Sequence, residues 1–303
     1  MKKFLLSAKT QGYIIPNISV VLIALLTKYS GWQDSGALVF SEFVILPILM
    51  GIFSAWFWRK EPYSSKQSMG RTCILSVIAI ALSYLFLGEG SICLVIVSPL
   101  LFVFIAVGVS TGRGMFSYNN DTFNVSIVSL LLLVFFADTR AHHHYENMVA
   151  DKMVINAPVS KIWPYVVAYK RIEAPDKYWL FKIGMPSPVQ STATGNYVGA
   201  GRKCIFSNGY VFDEKIVEYN VNNKLTFAIT NQPRDPEIMG HIDILKGQFI
   251  LQDNGDGTTT LTGNSWYALH VFPVWYYDLW AQSVTRNVHL RVMDHIKELS
   301  EAK

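Results

Sequence analysis

The sequence predicts an all-α bundle of about five transmembrane helices followed by a soluble α+β domain in which an antiparallel sheet is closed by one long helix. Three observations carry this expectation. Long apolar runs stop before Asp138, hydrophobicity alternates with period two between residues 195 and 267, and one amphipathic stripe runs through residues 273–301.

The membrane part is visible as a shift in composition. Hydrophobic residues make up 51% of the 303, and the mean hydropathy of +0.26 is high for one soluble protein. Charge-free apolar runs occupy residues 14–27, 72–87, 91–109 and 122–137, and residues 36–58 carry only Glu42. With their flanks these five runs approach the roughly 20 residues that cross a bilayer, and they lack the polar face of a buried soluble helix. The organisation expected is a transmembrane helical domain over residues 1–140 and a soluble domain over 149–303. The first run follows Lys2, Lys3 and Lys9 but has no small-residue cleavage site after it, so it is expected to stay as an anchor.

Basic residues give an orientation. They gather at the N-terminus and in the second loop, at Arg59, Lys60, Lys66 and Arg71, whereas the alternate loops hold little more than Lys28 and no basic residue at all beside Glu89. With five spans the N-terminus lies inside and the soluble domain outside the cytoplasm, as in a multi-pass protein of a bacterial inner membrane. Glu42 is the ionisable residue within a span; it either faces the bundle interior in a functional role or reaches out to the interface.

Cys204 is alone in the soluble part, since Cys73 and Cys93 lie in apolar runs, so no intramolecular disulfide staples that domain. From Asp151 onward 16 basic residues face 15 acidic ones, a net charge of +1, and no basic stripe calls for nucleic acid. Residues 141–150 form a polar connector. Its His142, His143 and His144 are consecutive and do not converge on a metal, so neither a metal nor another cofactor is expected.

In the soluble part, a short β-rich run at 152–156 precedes a helical face at Val159, Ile162, Val166 and Tyr169, with Pro158 suited to the first helical position and Pro164 inside. A second short helix is expected over 175–183, ended by Gly184. Strands follow: Leu225, Phe227 and Ile229 alternate with polar or small residues, as do Phe249 and Leu251. Asn-rich residues 219–223 mark a turn. Asp253-Asn254-Gly255-Asp256-Gly257 is expected to be a plain hairpin, because a calcium loop would need a later glutamate and flanking helices. The closing helix places Tyr277, Ala281, Val284, Val288, Val292, Ile296 and Leu299 on one stripe, opposite Arg286, Arg291, Asp294, Lys297 and Glu298.

Strand, short helices, antiparallel strands and a long last helix follow the order of the helix-grip fold. The segment Ile155-Asn156-Ala157-Pro158-Val159-Ser160-Lys161-Ile162-Trp163 resembles the opening motif of the SRPBCC superfamily, which includes START-like lipid-transfer domains and polyketide cyclases. Residues 199–206 and 212–219 resemble its central strands, and residues 257–261 and 289–297 its closing hairpin and helix. The resemblance implies a cavity between the last helix and a curved sheet, able to hold an apolar ligand.

Trp179, Phe181, Phe206, Phe227, Trp266, Tyr267, His270 and Trp280 are the candidate lining of that cavity, alongside a general aromatic excess that also includes Phe272 and Trp275. Large aromatics also fill cores. The leading expectation is a membrane-anchored protein that binds a lipid or another apolar small molecule without covalent chemistry. One alternative is a cyclase-like enzyme with His270 as general base and Asp278 orienting it; another is a sensor or assembly factor with a protein partner. Arg202 and Glu214, on neighbouring strands, are expected to pair with each other.

Overall fold

A computed structural model describes residues 7–29, 38, 40–61, 64–116, 125–138, 140, 144–233 and 241–302. The chain forms two compact units, the first containing the chain up to His144 with His270–Val274, the second most of the chain from Tyr145 onward.

The first unit is helical: α1 (Ala8–Tyr29), α2 (Leu46–Trp58), α3 (Ser65–Leu82), α4 (Ser91–Met115) and α5 (Val125–Asp138). A wider π-helical turn, Ser41–Ile45, leads into α2, and another, Ser83–Leu87, extends α3. Four stretches are long and apolar enough to cross a membrane: Ala8–Tyr29, Ser41–Trp58, Ser65–Leu87 and Ser91–Met115. The fifth expected run forms α5, which at 14 residues is short of the ~20 that a bilayer requires. Large apolar side chains such as Leu22, Leu26, Val77, Leu85, Val103 and Leu133 are exposed, as suits helices whose surroundings are hydrocarbon.

Without a hydrophobic force between helices in lipid, close backbone approach has to hold such a bundle together. Glycines supply it here. A Cβ on Gly108 of α4 would stand 2.1 Å from the Ile48 carbonyl oxygen, and one on Gly51 of α2 would stand 2.4 Å from the Ile105 carbonyl oxygen. Two polar ties add direction. Thr27 Oγ1 donates to Glu42 Oε1 at 2.6 Å, which turns Glu42 toward α1 within the bundle, and the Ser41 amide donates to the Asp138 carboxylate at 2.7 Å.

The second unit is a seven-stranded, wholly antiparallel sheet in the order β1-β7-β6-β5-β4-β3-β2. Its strands are β1 (Tyr145–Ile155), β2 (Pro188–Ala193), β3 (Gly201–Phe206), β4 (Val211–Asn220), β5 (Lys224–Asn231), β6 (Ile242–Asp253) and β7 (Thr259–Leu269). Between β1 and β2 lie α6 (Val159–Val167) and the single turn α7 (Trp179–Lys182), and α8 (Val274–Glu301) ends the chain. Helices α6 and α8 share one packed core with the sheet, including Ile162, Val166, Leu225, Phe249, Leu261 and Ile296. This is the helix-grip arrangement.

Several local expectations are met. Asn222, at φ 59°, makes the turn between β4 and β5, and Gly255 and Gly257, both at positive φ, make the β6–β7 hairpin. The hairpin carboxylates serve the turn: Asp253 accepts from the Gly255 amide and Asp256 from the Thr258 amide, each at 2.9 Å. Three boundaries differ. The polar connector expected up to Ala150 is strand from Tyr145, because β7 offers an uninterrupted antiparallel partner from Tyr145↔Leu269 onward. The helix expected over 175–183 shrinks to four residues, and Pro188 begins β2. Pro158 caps α6 in an extended conformation instead of occupying its first turn. His142 and His143 lie outside the described residues.

Replacing Gly108 by Leu is expected to force α2 and α4 apart, at a cost of about 1–3 kcal/mol, as for overpacked cores. Gly114→Leu, on the same helix but with nothing within 4 Å of its added Cβ, is the control. Thermal unfolding of the full-length protein in detergent should drop for the first and not for the second.

Candidate functional site

Facing side chains on β1 and β7 meet α8 at a point set by glycine. Gly263 pairs with Asp151 across the β1–β7 ladder, and Ser265 lies two residues further along the same face. With no side chain at 263, α8 settles on the strand. A Cβ there would lie 3.1 Å from Met293 Sδ and 3.7 Å from His289 Cγ. His289 therefore drops between Asp151 and Ser265.

Its Nδ1 is 3.0 Å from Asp151 Oδ2 and its Nε2 is 2.7 Å from Ser265 Oγ. A carboxylate only accepts, so Nδ1 carries the proton and Nε2 accepts from the Ser265 hydroxyl. Burial lowers the pKa of His289, against the opposing pull of Asp151, and favours the neutral ring. Asp151 also has Arg286 Nε 3.1 Å from its second oxygen. Asp151 and His289 are buried and Ser265 is half-buried.

Neither His289 nor Ser265 was among the residues expected from sequence. The buried stripe of α8 is Tyr277, Ala281, Thr285, His289, Val292, Met293 and Ile296, with Val284 and Val288 only half-buried. The stripe is turned toward polar residues because Asp151 and Ser265 wait opposite them. The available signals were Asp151 at the edge of the β-rich run and the glycine at 263, but their mutual register is not a local property.

The residues expected to do acid–base work each have neighbours of their own. Asp278 accepts from Tyr267 Oη at 2.6 Å, from Asn147 Nδ2 at 3.0 Å and from Gln282 Nε2 at 2.7 Å. Burial, followed by this bond to Asp278, pushes the Tyr267 hydroxyl well above its ordinary pKa. His270 stands beside His144, ring centroids 5.3 Å apart.

The Arg202–Glu214 pair forms as expected, in register on β3 and β4 and nearly inaccessible, with Arg202 at 3% exposure. Arg202 Nε also donates to the Val167 carbonyl at 3.0 Å, and its guanidinium lies 4.4 Å over the Phe227 ring. Burial raises the Glu214 carboxyl even with Arg202 beside it, and pushes the nearby Cys204 thiol up to about 12, which withholds it as a nucleophile. The pair is structural.

The aromatic candidates do not form one lining. Phe227 sits in the core, its ring covering Gly247, and Tyr267 is fully buried. Phe206 packs on Phe212, Trp266 holds Lys246 over its ring at 4.1 Å, and the half-exposed Trp179 meets Trp280 at 6.3 Å. Phe181, alone of the eight, lines a cleft of about 340 Å³ along the flank of α8. Its other apolar walls include Ile172, Ala174 and Leu290, and Lys177, Arg291 and Asp294 stand at it as charged groups. Arg291 was expected on the solvent face. Instead it bridges to Asp176 at 2.7 Å and donates to the Pro188 carbonyl at 3.0 Å, which fixes the segment before β2 against α8.

No family model matches the sequence, and no curated protein matches it. Among solved structures, a truncated norcoclaurine synthase from Thalictrum flavum is similar at 11% identity over 54% of this chain and 99% of its own, with a TM-score of 0.37. A protein from Mesorhizobium loti is similar at 15% identity over 50% of this chain and 96% of its own, TM-score 0.34. A third, from Bacillus thuringiensis, covers 52% of this chain and all of its own at 12% identity, TM-score 0.34. The wholly antiparallel strand order and α8 packed in one core with the sheet define the helix-grip arrangement.

Two outcomes are expected. Arg202→Met strands a buried carboxylate and should cost about 3–5 kcal/mol, whereas the double variant Arg202→Met with Glu214→Leu should recover most of it, as read by thermal unfolding. Because folded His289 resists protonation, the unfolded chain binds more protons as pH falls below the ordinary 6.5. The stability His289 carries is therefore complete above that pH and lost below it, and the fall in unfolding midpoint on acidification should be smaller in His289→Gln.

Proposed function

We propose that this protein is a membrane-anchored binder of a lipid or other apolar small molecule, a member of the SRPBCC superfamily held at the bilayer from which its ligand comes. The observation that carries this reading is the cleft along α8. Its volume lies within the range of small-molecule sites, and Ile172, Ala174, Phe181 and Leu290 give it apolar wall, while the charged groups at its edge are paired, Lys177 with Asp294 and Arg291 with Asp176. The same chain carries four helices of membrane-crossing length, which supports supply of the ligand from a bilayer.

We assign the protein to a bacterial inner membrane, and with five spans the distribution of Lys and Arg supports the extracytoplasmic side for the second unit. That side requires α5 to cross as a fifth span. Cysteine-accessibility labelling at Lys152→Cys in intact cells tests it, with modification by an impermeant maleimide expected.

The cyclase-like alternative through His270 and Asp278 has less support, since the Asp278 oxygens are already taken by Tyr267, Asn147 and Gln282. No observation favours a protein partner over a small ligand.

Mass spectrometry of organic extracts from the full-length protein, purified from native membrane into detergent, should find a lipid or apolar metabolite at near-stoichiometric yield. Ala174→Trp, which fills the cleft, should lose it while keeping its unfolding midpoint. An empty wild-type protein whose midpoint no lipid class shifts would overturn the proposal.

A further inference from the structure

The binding reading leaves Asp151, His289 and Ser265 without a task. We infer that Ser265 is an activated nucleophile, with His289 as its general base and Asp151 as the positioning residue, and that the site takes an ester or thioester of an apolar acyl group. The inference rests on a different part of the domain from the flank cleft and does not depend on it.

Three features point the same way. The order of contacts is the one nucleophilic catalysis needs, a carboxylate on Nδ1 and a hydroxyl on Nε2, at 3.0 and 2.7 Å. Accessibility runs in the matching direction, with Asp151 and His289 buried and Ser265 keeping exposed surface. The surroundings are apolar on one side: Ser265 pairs in register with Gly247, and the Phe227 ring lies over that glycine. Arg286, largely exposed, pairs with Asp151 through the oxygen that His289 does not use, so the carboxylate is steadied without releasing the ring. A buried, neutral imidazole suits a base.

The chemistry closes. Ser265 Oγ forms a bond to the acyl carbonyl carbon as its proton passes to His289 Nε2, and the carbon–oxygen or carbon–sulfur bond to the leaving group breaks as that group takes the proton from His289. Water then adds to the acyl-serine, giving its proton to His289, and the acid departs as the Ser265 hydroxyl is restored.

A network that only anchors α8 would show the same hydrogen bonds but no reactivity, and the test turns on that difference. Full-length protein in detergent is treated with an alkyl fluorophosphonate and the adduct mapped by peptide mass spectrometry. Modification at Ser265 is expected, absent in Ser265→Ala and slowed by roughly 100-fold or more in His289→Gln, the scale of general-base assistance. With p-nitrophenyl butyrate, Asp151→Asn should lower kcat and leave KM in place. Wild-type protein with an intact thermal transition and no adduct at Ser265 overturns the inference without any variant having to fold. Equal labelling rates in wild type and His289→Gln overturn it too. Loss of ligand from the flank cleft bears on the binding reading alone.

Discussion

The helix-grip unit depends on the seat of α8 at Gly263. A helix packing on a sheet is normally held off the strands by the interdigitating side chains of both. Here one missing side chain lets Met293 and His289 reach the strand itself. That approach defines which residues of α8 are buried. Met293 and Ile296 enter the core with Phe249 and Leu261, and His289, one turn earlier on the same stripe, is carried into a polar berth.

Burying polar groups is costly unless each finds a partner, and the domain meets that condition in three separate places. Arg202 and Glu214 neutralise each other across β3 and β4, Tyr267 and Asn147 serve Asp278, and Asp151 and Ser265 flank His289. The first two are closed: their acceptors and donors are consumed by one another. In the third, the hydroxyl at its end belongs to a residue that keeps exposed surface, which is why it alone of the three is a candidate for chemistry.

The helical unit shows a different constraint: its membrane-length helices expose apolar side chains, and where the surroundings of such helices are apolar, expelling water gains little. Backbone proximity through Gly51, Gly108 and Gly112 replaces hydrophobic burial, and Glu42 spends its polarity on Thr27 of α1.

Sequence alone located helices of membrane-crossing length, since a long apolar run is a local property, and it placed the β6–β7 hairpin and the closing helix, because turn chemistry and periodicity act over a few residues. It also paired Arg202 with Glu214 through strand adjacency. Only the tertiary structure decided which face of α8 turns inward. A periodic count favoured Val284 and Val288, whereas Asp151, 138 residues before His289, and the vacancy at Gly263 draw the polar side of the stripe into the sheet. It likewise set Phe227 and Tyr267 in the core and Phe181 at a cleft on the flank of α8. Long-range register decides such matters, and no local pattern encodes it.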